Sequence, residues 1–272
     1  MITFIETLKM RSEPLFWFGV IFLICALVCA VFMSFTHNQV LGVNAYLKPL
    51  KFFASSQVLS WTLAWYIGYL PPRPDVAIAT WIIIGVLCFQ DAYIFAQAAR
   101  VELSHFNVST PFHTMMFGLM ATTASTLTLA VLYIGLLFWR SSFPDLPGYY
   151  VWAIRLGMVI FVVFSFQGFA MGARLAHTVG APDGGEGLPL LNWSRRFGDL
   201  RVAHFVGMHA LQVLPLLAWY VLRSTKATFA VSALYLALAA FTWVQALQGR
   251  PLLSQNKALN TPIHHNEKNQ NP

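Results

Sequence analysis

Apolar residues fill seven long blocks of this chain, at about 14–36, 49–70, 76–103, 112–139, 149–176, 202–222 and 227–248, each followed by a short polar or proline-rich break. A membrane-spanning helix needs about 20 consecutive, mainly apolar residues. The pattern therefore predicts seven spanning helices. The breaks carry their own signals: Pro71, Pro72 and Pro74 close the second block, Pro111 opens the fourth, and Pro144 and Pro147 divide the fourth from the fifth. Pro49 suits the first turn of the second helix. The first block exceeds the roughly 7–15 apolar residues of a cleavable signal and follows Glu6, Lys9, Arg11 and Glu13, so it reads as a retained helix. Beyond Arg250 the chain turns polar and rich in Asn, Gln and Pro. That composition predicts a disordered tail at 250–272 behind one transmembrane domain at 1–249.

Composition narrows the class further. Hydrophobic residues make up 57% of the 272 and charged residues only 10%, with a mean hydropathy of +0.61, whereas soluble domains carry roughly 25% charged residues. The expected fold is an all-α integral membrane bundle of seven transmembrane helices. The net charge of +7 does not point to nucleic acid, because Lys and Arg sit at the ends of apolar blocks, where they snorkel or meet anionic lipid. Membrane lipids are the expected partners. Cys25, Cys29 and Cys88 all lie inside apolar blocks and are too few for a disulfide framework.

Since successive helices alternate direction, every connection belongs to one of two sides. One side carries the N-terminus and the short connections near 71–75, 140–148 and 223–226. The other carries 37–48, 104–111, 177–201 and the tail, and there the unusual polar residues gather: His37, His105, His113, His177 and His204, with His209 deeper, alongside Lys48, Lys51, Arg100, Arg174 and Arg201. Within the third block Gln90, Tyr93, Gln97, Arg100 and Ser104 follow steps of three and four, which holds them within an arc of about 80°. Gln167, Arg174 and His177 repeat the stripe in the fifth block, Arg201, His204 and Gln212 in the sixth, and Asn44, Lys48, Lys51 and Ser55 lead into the second. Ionisable groups at membrane depth face a bundle interior or a watered cavity. The stripes thus predict a polar cup open to one membrane face.

Two chemistries suit such a cup. Imidazole is the commonest metal ligand, so His105, His113, His177, His204 and His209 are candidate ligands for a transition metal or a haem, with Gln90, Gln97, Gln167 and Gln212 as supports that orient them. This arrangement predicts a metal- or haem-dependent membrane enzyme, redox before hydrolytic, acting on a lipid-like or small anionic substrate. In the alternative, Lys48, Lys51, Arg100, Arg174 and Arg201 hold an anion directly, as in a metal-free transporter or a lipid- or anion-binding protein. The glycine-rich GAPDGGEGLP stretch matches no phosphate-loop or dinucleotide fingerprint.

The stretches NAYLKPLKF (44–52), SHFNVSTPF (104–112), DGGEGLPLLNWS (183–194) and GDLRVAHFVGMHALQ (198–212) resemble those of a group of uncharacterised multi-pass bacterial membrane proteins. The resemblance implies a bacterial cell (inner) membrane and carries no activity with it. For orientation, the plain side holds Lys9, Arg11, Arg73, Arg140, Arg223 and Lys226. The cup side holds Lys48, Lys51, Arg100, Arg174, Arg195, Arg196, Arg201, Arg250, Lys257 and Lys268, with Arg155 set aside as within a span. The positive-inside rule then expects a cytoplasmic cup and an external N-terminus.

Overall fold

The computed structural model describes residues 3–253; the expected tail beyond Leu253, with His264 and His265, lies outside the described residues. A short helix that the block pattern did not foresee comes first, α1 (Phe4–Arg11). It is started by a capping box in which the Thr3 hydroxyl accepts from the Glu6 N–H and the Glu6 carboxylate accepts from the Thr3 N–H. The seven apolar blocks then appear as α2 (Glu13–Phe35), α3 (Leu47–Ile67), α4 (Pro74–Ala99), α5 (Pro111–Arg140) and α6 (Gly148–Gln167), extended by the single turn α7 (Phe169–Gly172), followed by α8 (Leu200–Leu217) and α9 (Thr225–Leu247). Two small antiparallel pairs join them on the cup side. The pair β1 (Gln39–Val40) and β2 (Val43–Asn44) sets Gln39 opposite Asn44; the pair β3 (Thr178–Val179) and β4 (Gly198–Asp199) sets Thr178 opposite Asp199.

Six helices among the described residues are long and apolar enough to cross a membrane: α2, α4, α5, α6 with α7, α8 with the π-helical turn after it, and α9. The chain is thus an all-α integral membrane protein. The helix α3 is not one of the six, because its first two thirds carry Lys48, Lys51, Ser55, Ser56, Gln57 and Ser60. It nevertheless packs lengthwise against α2 and lies beside α4. Only 22% of the apolar window of α9 is buried within the protein, against 50% for α4. The ring of half-exposed Leu, Ile and Phe side chains on α2 and α9 is accordingly the surface offered to lipid.

The core has two main parts that share α6, beside a small third cluster of Met171, Leu200 and Ala246. The larger unites α1 to α6 with Leu211 of α8, around Leu63, Ile83, Ile134, Phe138 and Ile154; the smaller joins α6, α8 and α9 around Phe164, Ala203, Ala210 and Leu214. Without a hydrophobic drive between helices in lipid, close approach through small residues sustains the packing. A Cβ on Gly157 would lie 2.8 Å from the Ala210 carbonyl oxygen, and one on Gly207 would overlap the Phe164 ring. Inside α8, Pro215 has no N–H to give the Leu211 carbonyl four residues back. The Tyr66 hydroxyl of α3 donates to that carbonyl instead, at 2.6 Å and fully buried. This bond satisfies a backbone group at membrane depth, where an unpaired carbonyl is costly. The helix ends in a π-helical turn, Ala218–Leu222, with Arg223 at φ +45°.

Candidate functional site

The cup-side connections meet one another over the ends of α3, α8 and α9. The β1–β2 turn at Gly42 (φ +76°) approaches the Gly184 carbonyl, and β4 lies so close to the end of α9 that a Cβ on Gly198 would overlap the Ala246 carbonyl. Lys48 and Lys51 stand one turn apart in the first turns of α3. The Lys48 Nζ is 3.1 Å from His105 Nδ1, and Lys51 Nζ donates to the Leu191 carbonyl at 3.2 Å. With Lys48 as the donor, His105 Nδ1 accepts and the ring proton sits on Nε2; Ser104 Oγ lies 3.2 Å from the same nitrogen. Burial first, then the nearby Lys48 and His177, holds the His105 imidazole well below its usual range. The charges of Lys48, Lys51 and Arg201 act on one another across this space.

Behind the lysines a second layer stiffens the long 173–199 connection. Phe106 lies edge-on to His177, with ring centroids 4.8 Å apart. The His177 Nδ1 is 2.7 Å from Asp183 Oδ2, and Asp183 also accepts from the backbone N–H groups of His177 and Thr178. Burial alone would raise the Asp183 carboxyl, but the hydrogen bonds and charge of His177, with the bond from Thr178, hold it below its ordinary range. For His177 the balance runs the other way. Burial, with the Arg201 and Lys48 charges, outweighs the pull of Asp183 and lowers the imidazole. Asp199, 2% exposed, caps α8 by accepting from the Arg201 N–H; its carboxylate also takes the Arg201 guanidinium at 2.9 and 2.6 Å and the Ser194 N–H at 2.9 Å. Arg201 reaches on to the Asn192 carbonyl.

The five histidines do not form a ligand set. His105 faces Lys48. His113 Nε2 faces Glu102 at 3.1 Å, and His177 faces Asp183. His204 Nδ1 donates to the Phe164 carbonyl at 2.7 Å, and His209 Nδ1 to the Phe205 carbonyl one turn back at 2.8 Å. Among the described residues no group of three His, Cys, Asp or Glu side chains is placed to hold a metal ion. Each ring has its own local partner; in His177, His204 and His209 that partner engages Nδ1, and no three of the five are grouped as a metal site.

The four glutamines expected as supports have these hydrogen-bond partners. Gln90 donates to the Met120 carbonyl and Thr123 on α5; Gln97 to Glu102 and the Leu103 carbonyl; Gln167 to the Leu200 carbonyl; Gln212 to Thr62 on α3. These hydrogen bonds tie helices and loops together. Arg100 and Arg174 are exposed at the rim, and Arg201 commits Nε and Nη2 to Asp199 and Asn192. The anion contacts brought together are therefore Lys48 and Lys51, with the remaining face of Arg201. Ser55 lies on the same face of α3, about one turn beyond Lys51, and is exposed. Asp183 and Asp199, which hold the cup's loops in place, escaped the stripe argument because loop residues have no helical period; Asp199 immediately before an apolar helix is, however, a legible N-cap.

Compared with family models, with curated proteins and with solved structures, the chain matches none.

Proposed function

We propose that this protein crosses a bacterial cell membrane seven times, with α3 as the seventh span, and binds a carboxylate or phosphate group of a small or lipid-like ligand at its polar end. The 21 residues of α3 extend for about 31 Å at the helical rise of 1.5 Å per residue, enough for the hydrocarbon layer. The surplus of Lys and Arg on the cup side supports a cytoplasmic cup. The observation that carries the binding reading is the company Lys48 keeps: a neutral imidazole at 3.1 Å, where a structural lysine would have a carboxylate. Lys51, likewise, rests on a backbone carbonyl. Each ammonium thus keeps N–H donors for a ligand, and the two carboxylates nearby are engaged by His177 and Arg201. This is the anion-binding or transport reading; it is favoured over the oxidoreductase reading because Lys48 and Lys51 meet at the cup while no group of three His, Cys, Asp or Glu side chains does so among the described residues.

Thermal unfolding in mild detergent tests it, with inorganic phosphate, glycerol phosphate and acetate each compared with chloride at equal ionic strength. A ligand at 100 times its Kd stabilises the folded state by about 2.7 kcal/mol. At least one of these anions is expected to raise the Tm of the wild type and not that of Lys48→Gln/Lys51→Gln. Equal responses of the two proteins, or none from any anion, would overturn the proposal.

A further inference from the structure

On the membrane face opposite Lys48, where the connections are short, α5 and α6 frame an open depression of about 300 Å³. Arg140, Ser141, Ser142, Gly148, Trp152 and Arg155 line it, and no carboxylate does. Arg155 sits seven residues into α6, about 10 Å below its start. Its side chain nevertheless climbs to the end of α5, where Nε donates to the Phe138 carbonyl at 3.1 Å and Nη2 to the Ser141 carbonyl at 3.0 Å. The guanidinium is held 5.1 Å from the Trp152 ring centre and 5.7 Å from that of Trp139. Two of its five N–H donors are thereby fixed, and the others remain for a ligand. Arg140 is exposed at the same rim. The first turn of α6 has no side-chain cap, so its backbone N–H groups add to a field that favours an anion.

The setting identifies the ligand. Trp139 and Trp152, packed edge to face at 5.4 Å, are the kind of aromatic pair that marks the headgroup level of a bilayer. Basic pockets between helices at that level take anionic lipid headgroups. We infer that the Arg140–Arg155 depression is a binding site for a phosphate ester, the headgroup of an anionic phospholipid, on the face opposite the cup. The site rests on residues other than those of the proposed anion cup and stands or falls separately.

Native mass spectrometry of the detergent-purified full chain tests the inference with dihexanoyl phosphatidylglycerol, dihexanoyl phosphatidylcholine and glycerol phosphate. Phosphatidylglycerol is expected to bind the wild type at least tenfold more tightly than phosphatidylcholine, and at least tenfold less tightly after Arg140→Gln or Arg155→Gln. Lys48→Gln/Lys51→Gln is expected to leave this binding unchanged. Arg155→Gln removes two backbone contacts and can unfold the end of α5; Arg140→Gln, at an exposed position, keeps the test decisive. If glycerol phosphate binds within tenfold of the lipid and is lost in the same variants, the site stands and its ligand is a soluble phosphate ester. Unchanged phosphatidylglycerol binding in Arg140→Gln, or equal binding of phosphatidylcholine, would overturn the inference.

Discussion

Replacing Tyr66 by Phe removes one oxygen from the middle of the bundle and takes from the Leu211 carbonyl the side-chain donor it has among the described residues. The bond is 2.6 Å long, Tyr66 is 3% exposed and Leu211 is 0% exposed, so no water replaces the lost hydroxyl without a cavity. A buried acceptor deprived of its partner costs about 1–3 kcal/mol, and hydrogen bonds measured inside a membrane bundle average about 0.6 and reach about 1.7 kcal/mol. The expected loss is about 1 kcal/mol. The cause assigned here, the missing N–H of Pro215, makes a sharper claim than the size. With Pro215→Ala the helix regains a donor for Leu211, and Tyr66→Phe in that background should cost only a few tenths of a kcal/mol, giving a coupling of about 0.5–1 kcal/mol. Reversible unfolding in mixed detergent, run on the wild type, both single variants and the double variant, measures it. A Tyr66→Phe cost that is the same with and without Pro215 would refute the reasoning.

Further outcomes follow from the packing and the loop chemistry. Gly207→Ala is expected to destabilise by about 1–3 kcal/mol, because its methyl would overlap Phe164, whereas Gly85→Ala, which meets nothing within 4 Å, should leave the Tm unchanged or higher; thermal unfolding of the two variants checks the contrast. Asp183 has a lowered carboxyl and His177 a lowered imidazole, so both contribute stability at neutral pH that is lost on acidification. The His177 part fades as the pH falls below its ordinary 6.5, and the Asp183 part as it falls below its ordinary 3.8. Hydrogen exchange at the His177 and Thr178 amides, corrected for intrinsic rate, should speed up along that path, and Asp183→Asn should raise it about tenfold or more at pH 7, as expected for loss of a charged hydrogen bond. Because no group of three His, Cys, Asp or Glu side chains among the described residues is placed to hold a metal ion, EDTA is expected to leave the Tm of purified protein unchanged; a fall of several degrees would support a metal site.

The helices were legible because each needed little besides length and punctuation. All seven blocks became helices, with Pro74 and Pro111 at helix starts, since a span in lipid must satisfy its own backbone. The helix α1 was legible only in the Thr3-x-x-Glu6 spacing, a signal overshadowed by the charged flank in which it sits. Lys48, His105, His177 and Arg201 lie near one another, four residues from two helices and two connections that no single helical period links. Convergence of the histidines was beyond the sequence, because the direction of an imidazole is set by partners such as the Phe164 carbonyl, the Phe205 carbonyl and Asp183, none of which a stripe of polar residues reveals. Arg155 illustrates the opposite error. Its position within a span made it look peripheral to either face, yet its long side chain reaches the interface and shapes the depression there.

The central claim is that Lys48 and Lys51 hold an anion. Isothermal titration of inorganic phosphate, glycerol phosphate and acetate into detergent-purified Arg140→Gln protein measures this most directly, since that substitution silences the opposite-face depression. The account predicts one saturable site for at least one of these anions, weakened at least tenfold by adding Lys48→Gln and Lys51→Gln. An isotherm that the two lysine substitutions leave unchanged, or the absence of saturable heat with all three anions, would contradict it.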